Sequence, residues 1–224
     1  MIKAVLFDFD GTISNRQYNA YSLFKDYLKP YFENEDECFF EGVLQDFLTD
    51  DCNGTINVMY RLAPFMKKYG KYFPEDFEEV FTKFYYDYMY KYCVVKPETH
   101  EVLRKLKESG KYKMAILSNG QSKSQHDKID YVDVPKYFDL VVVGGDIGIQ
   151  KPDKRAFEYV CDKLGVKCEE CVYIGDVFSS DILGAHNAGM KAVWILTDKE
   201  RPHDFYNGPV VSDLNEFLEL LETM

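Results

Sequence analysis

The chain opens on four apolar residues, Ala4-Val5-Leu6-Phe7, and then breaks into Asp8-Phe9-Asp10-Gly11-Thr12. A short unbroken apolar run that ends at a turn residue predicts a strand covered on both faces, as in a parallel sheet. Similar runs recur in the second half of the chain, at residues 113–117, 140–143, 172–174 and 192–196, with a shorter one at 210–211. Between them the pattern is helical. Residues 98–109 follow Pro97 and stop at Gly110, residues 155–164 stop at Gly165, residues 181–188 stop at Gly189, and residues 213–222 lie near the end of the sequence. Proline in a first turn and glycine just past a last turn are the usual punctuation of helices. Strands alternating with helices of about ten residues imply right-handed β-α-β units and a parallel sheet with helices on both faces.

Residues 15–96 break that alternation. They show no strand pattern, and Val80, Phe81, Phe84, Tyr85, Tyr88, Met89 and Tyr92 follow a helical period. Tyr and Phe crowd this stretch between Tyr18 and Tyr92. An all-helical insertion of about four helices is expected here, its aromatics serving chiefly as core, a minority as pocket lining. The predicted fold class is therefore α/β: a Rossmann-like parallel sheet formed by 1–14 and 97–224, and an inserted helical cap domain formed by 15–96.

Composition narrows the function. A length of 224 residues accommodates one core domain with a smaller companion. The formal net charge of −11 argues against nucleic acid as a partner and favours divalent cations. Met1-Ile2-Lys3 runs straight into the first strand, and no apolar run approaches the roughly 20 residues that span a bilayer, so a soluble, cytoplasmic protein without a membrane partner is expected. Cys168 and Cys171 form the one close pair among six cysteines, and His126 and His186 are not at ligand spacing to them. That pair reads as small core hydrophobes. No exposed stripe can be separated from the aromatic core, so the pattern carries no oligomeric state.

The polar residues of interest stand where the predicted strands end. Ligands of an open parallel sheet bind at the carboxyl ends of its strands. Asp8 and Asp10, two apart, emerge together after the first strand. Adjacent carboxylates need a cation or a shared proton. Ser118-Asn119-Gly120 follows the second strand, Lys151-Pro152-Asp153 the third, and Gly175-Asp176 the fourth, with Asp181 five residues beyond Asp176. Taken singly, each has an ordinary reading: a strand-to-helix turn for Ser118, a solvated charge for Lys151, a helix N-cap for Asp181. Asp176 ends a buried strand, where a carboxylate needs a compensating cation or donors. Their joint placement on one edge is what points to chemistry on an anion.

In this order and spacing, the four elements resemble the haloacid dehalogenase superfamily, and the segment Gly184-Ala185-His186-Asn187-Ala188-Gly189-Met190 extends the likeness. The insertion is similar in place and size to the helical cap of the family's first subclass. The resemblance implies that Asp8 is a nucleophile that takes up phosphate as an aspartyl-phosphate. It implies Asp10 as the general acid and base. It implies Ser118 and Lys151 as ligands of the phosphoryl group, with Asn119 contacting phosphate through its main chain. Mg²⁺ is the implied cofactor, held by Asp8, the main-chain carbonyl of Asp10, and Asp176; Asp181 would orient Lys151 or a metal-bound water. Asn15 and Arg16 are candidate substrate contacts, with a plain loop role as the alternative.

Asp10 weighs against the dehalogenase branch, which displaces halide and needs neither general acid nor magnesium. The expected activity is a magnesium-dependent phosphatase for a small phosphorylated metabolite, either a nucleoside monophosphate or a sugar phosphate. A sugar-phosphate mutase shares the same catalytic set and stays open. A non-catalytic phosphometabolite-binding protein is a remote alternative, since it would be expected to lose Asp8 or Asp10.

Overall fold

A computed structural model describes residues 1–51, 58–196 and 203–224, without the side chains of residues 58, 59 and 61. The chain divides into two compact units, Met1–Ser14 with Val95–Met224, and Asn15–Val94. Among the described residues, six strands form one parallel sheet in the first unit: β1 (Ala4–Phe7), β2 (Lys113–Ser118), β3 (Leu140–Val143), β4 (Cys171–Gly175), β5 (Lys191–Ile195) and β6 (Val210–Val211). Their order is β3-β2-β1-β4-β5-β6. Among the described residues the α-helices are α1 (Arg16–Leu28), α2 (Glu37–Asp51), α3 (Val58–Tyr69), α4 (Phe77–Tyr88), α5 (Thr99–Ser109), α6 (Ser122–Tyr131), α7 (Gly144–Ile147), α8 (Lys154–Leu164), α9 (Leu183–Asn187) and α10 (Leu214–Leu221).

β1 is fully buried because both of its faces are covered. Ala4 and Leu6 join Ala115, Leu117 and Tyr173 under Phe157 and Val160 of α8. Phe7, on the other face, meets the rings of Phe138 and of Phe217 on α10 at 5.7 and 5.8 Å. β1 pairs in parallel with β2 on one side and with β4 on the other. Chain order reverses between β1 and β4, which is where an open sheet of this kind forms its binding crevice.

Most element boundaries fall within a residue or two of the sequence pattern, and one departs for a structural reason. The helix expected to start at Asp181 begins earlier, in a wide turn Phe178–Ile182 whose closing bond runs from the Leu183 N–H to the Phe178 carbonyl. Asp181 therefore lies inside that turn and is not the cap of a helix. α7, a single turn after β3, was not visible as a pattern because it is only four residues long. The cysteines gain a third member: Cys161 of α8 puts its sulfur 3.2 Å from that of Cys168 and 3.6 Å from that of Cys171. Burial, with Cys171, Glu158 and Asp162 adding to it, holds the Cys168 thiol above its usual range. Cys168 is thus a protonated packing group.

In the second unit, α1 to α4 enclose an aromatic core. Phe47 stands between Phe24 and Phe65, with ring centroids 4.2 and 4.4 Å away, and Phe73, Phe77 and Phe81 stack in a row. The stripe expected across 80–92 is narrower than its period suggested. Phe81, Tyr85 and Met89 are buried, but Val80 and Tyr88 are exposed, and α4 gives way to a tighter turn at Met89–Tyr92. Residues 77, 81 and 85 share one face at a spacing of four, while 80 and 88 fall at its edges.

Candidate active site

The carboxyl ends of β1, β2 and β4 and the loop after α7 bring together the polar residues of the first unit. Lys151 is the centre of the arrangement. Its Nζ donates to Asp8 Oδ1 at 2.7 Å, Asp181 Oδ1 at 2.7 Å and the Tyr173 hydroxyl at 2.6 Å. All four groups are buried. Burial opposes the lysine's charge, but the Asp181 and Asp8 carboxylates outweigh it, so Lys151 stays protonated above the ordinary lysine range. Its three donors are all used, and Tyr173 in turn donates to the Leu117 carbonyl.

Asp8 feels the opposite balance. Burial pushes its carboxyl up, Lys151 pulls it down, and Asp181 and Asp10 push it up again, leaving it at about 7. Asp176 is also raised well above the carboxylate range, by burial first and then by Asp8 and Asp181. The Oδ1 of Asp176 is buried with no hydrogen-bond partner among the described residues. One oxygen each of Asp8, Asp176 and Asp181 lies within 4.8 Å of the other two. A cluster of hard oxygen donors, with one carboxylate oxygen left unsatisfied, suits a small divalent cation such as Mg²⁺. Asp181 is the least available of the three, because its oxygens accept from Lys151 and from the Val177 N–H.

The backbone is shaped to let these groups approach. Gly11 has φ of +84°, and a Cβ there would collide with the Asp176 carboxylate. At Gly175 a Cβ would lie 2.5 Å from the Cβ of Asp181. Larger residues at either place would push the acidic groups apart.

Ser118 and Asn119 occupy the neighbouring strand end. The Asn119 side chain grips the backbone of Lys151 twice, accepting its N–H at 2.7 Å and donating to its carbonyl at 2.9 Å. Gln150 grips Gly120 in the same way, accepting its N–H at 3.1 Å. These bonds fasten the lysine loop to the end of β2. The Gly120 N–H is thereby engaged inside the protein. Ser118 Oγ accepts from Gln125 Nε2 at 2.7 Å, and Gln125 also donates to Asp10 Oδ2 at 2.8 Å. Lys128 Nζ reaches the same Asp10 oxygen at 2.5 Å.

A family model described as haloacid dehalogenase-like hydrolase matches residues 2–189, most of the chain and the whole of this constellation. The chain belongs to that family. Among its relatives, a glyceraldehyde 3-phosphate phosphatase of Methanothermobacter thermautotrophicus is 37% identical over 56% of this chain and 58% of its own length. Human N-acylneuraminate-9-phosphatase is 44% identical over 50% of this chain and 46% of its own. The chain thus spans about half the length of these two curated relatives. A crystal structure of a phosphatase of the same family from Thermococcus onnurineus covers 98% of both chains at 27% identity, with a TM-score of 0.66.

The expected site residues fall in two places. Asp8, Asp10, Ser118, Asn119, Lys151, Asp176 and Asp181 are in the sheet unit and are linked as described above. Asn15 and Arg16 are in the helical unit. Asn15 caps α1, accepting from the Tyr18 N–H, and Arg16 is buried with a 2.7 Å ion pair to Asp51 and a 3.4 Å bond to the Tyr85 hydroxyl. Three participants were not singled out from sequence. Tyr173 reads as an ordinary apolar strand residue. Gln125 and Lys128 read as the polar face of a helix, although their spacing of three on the helix that follows Ser118 puts them on one side of it. Among the described residues no helix is long and apolar enough to cross a membrane.

Proposed function

We propose that this protein is a magnesium-dependent phosphatase of a small phosphate monoester, working through an aspartyl-phosphate on Asp8. The observation that carries the reading is the buried Asp8 carboxylate, fixed by Lys151 and flanked by Asp10 and Asp176. Mg²⁺ would be held by Asp8, the Asp10 main-chain carbonyl and Asp176, and would supply neutralisation of the phosphoryl charge. Lys151 orients Asp8 through one oxygen, so the other is the one free to attack phosphorus. Phosphorus takes the Asp8 oxygen as the ester oxygen leaves, and Asp10 gives that oxygen its proton. Asp10 then takes a proton from the water that attacks the phosphorus of the acyl phosphate, and Asp8 is regenerated. Ser118 and Lys151 would contact the transferring phosphoryl oxygens, the lysine by exchanging one of its three present acceptors for a phosphoryl oxygen while Asp181 and Tyr173 keep the ammonium in place.

The names of the relatives, one for a triose phosphate and one for a phosphorylated sugar acid, support a phosphorylated sugar-type metabolite over a nucleoside monophosphate. The test is release of phosphate from a panel of sugar phosphates and nucleotides, with Mg²⁺ and with EDTA. Turnover that needs Mg²⁺ and favours sugar phosphates supports the reading. Isomerised sugar phosphate without free phosphate would instead indicate a mutase.

A further inference from the structure

Asp10 is held by two side chains that the proposed chemistry leaves without a role. Lys128 is buried on α6, and its Nζ sits 2.5 Å from Asp10 Oδ2 and 5.8 Å from the centre of the Phe9 ring. Gln125, also buried and one turn earlier on α6, donates to the same oxygen at 2.8 Å and to Ser118 Oγ at 2.7 Å. A buried lysine costs rotamer entropy and desolvation, so its placement beside a single carboxylate calls for a specific purpose. Both donors converge on Oδ2, while Oδ1 faces the Ser14 hydroxyl at a long 3.4 Å. The two short bonds to the carboxyl thus come from α6. Gln125 adds a link from Oδ2 to the serine expected to hold the phosphoryl group.

We infer that Lys128 and Gln125 are positioning residues for Asp10, fixing its carboxyl relative to Ser118 so that it meets the leaving-group oxygen. The inference rests on the phosphatase reading and deepens it. Lys128 acts through its charge-assisted bond and its packed stem; Gln125 couples the phosphate contact to the acid. Proton transfer by a placed group is worth roughly 10²–10⁴-fold, and a displacement of about 1 Å can forfeit about 10²-fold. The benefit depends on the leaving group, because an alkoxide needs the proton and a nitrophenolate does not.

The test compares kcat/KM for an alkyl phosphate, glycerol phosphate, with that for 4-nitrophenyl phosphate in wild type, Lys128→Met, Lys128→Arg, Asp10→Asn and the Asp10→Asn/Lys128→Met double variant. Lys128→Met is expected to lose at least about tenfold more on the alkyl ester than on the aryl ester. Lys128→Arg should recover part of the loss, and the double variant should be no worse than Asp10→Asn alone. Gln125→Met provides a second variant with the same expected bias, should Lys128→Met not fold. Equal losses on both esters in Lys128→Met and Gln125→Met, or additive losses in the double variant, overturn the positioning role while leaving the phosphatase reading intact. Equal losses in Asp10→Asn itself overturn the acid assignment, and the inference with it.

Discussion

Replacing Lys151 by methionine keeps most of the side-chain volume and removes the charge that Asp8 and Asp181 share. The three side chains are almost completely buried, with the lysine 5% exposed, Asp8 6% and Asp181 1%. Taking one partner from a buried ion pair costs about 3–5 kcal/mol, because the remaining charge is left without compensation. Protonation limits that cost, and here the limit depends on pH. Asp8 stands at about 7 with Lys151 in place, against 3.8 ordinarily. The folded state therefore holds a proton on Asp8 that the unfolded chain has released. This contribution is fully present below the unfolded value and is lost as pH rises through the folded one. Lys151 is the largest influence pulling Asp8 down. Its removal moves the folded value up, and each unit adds about 1.4 kcal/mol of lost stability above neutrality. In EDTA, urea titrations should put Lys151→Met about 3–5 kcal/mol below wild type at pH ~8.5, with the deficit smaller by at least about 1.4 kcal/mol at pH ~5.5. An equal deficit at both pH values, or one under about 1 kcal/mol as at an exposed pair, would refute the reasoning.

Magnesium at about 100 times its dissociation constant should stabilise the protein by about 2.7 kcal/mol, seen as a raised melting temperature, and Asp176→Asn should abolish most of that rise. Gly11→Ala introduces a side chain at φ of +84° against the Asp176 carboxylate; a cost of about 1–3 kcal/mol and a weakened magnesium response are expected from thermal melts. In the helical unit, Phe81 is fully buried among Phe24, Phe47 and Phe77. Phe81→Ala should cost about 3–5 kcal/mol by chemical denaturation, and a loss below about 1 kcal/mol would contradict the packing described.

The sheet was readable because its strands are buried on both faces: Ala4-Val5-Leu6-Phe7 can satisfy no half-exposed pattern. The strand-end residues were readable for a related reason, since carboxylates, a serine and a lysine at the limits of apolar runs stand out against their surroundings. What pattern could not reach were pairings between distant elements. By pattern alone Asp181 read as a helix cap, and only the family resemblance tied it to Lys151, thirty residues away; the turn around it is not a regular helix. Arg16, a candidate substrate contact with a plain loop role as the alternative, is paired with Asp51 at the far end of α2. Cys161 joined Cys168 and Cys171 only through the fold. Gln125 and Lys128 were hidden by composition, because lysine and glutamine on a helix ordinarily mark its wet face. The aromatic stripe on α4 was legible as a helix but overdrawn in width, since a period fixes a direction and not where burial stops.

The central claim is that Asp8 accepts the phosphoryl group. It is tested most directly by acid-quenching the enzyme during turnover of a phosphate monoester with Mg²⁺ and mapping the phosphorylated peptide. The account predicts an acid-stable, base-labile phosphoryl group on the Asp8 carboxyl, and neither that adduct nor phosphate release in Asp8→Asn. Phosphate release at the wild-type rate from Asp8→Asn protein would contradict it.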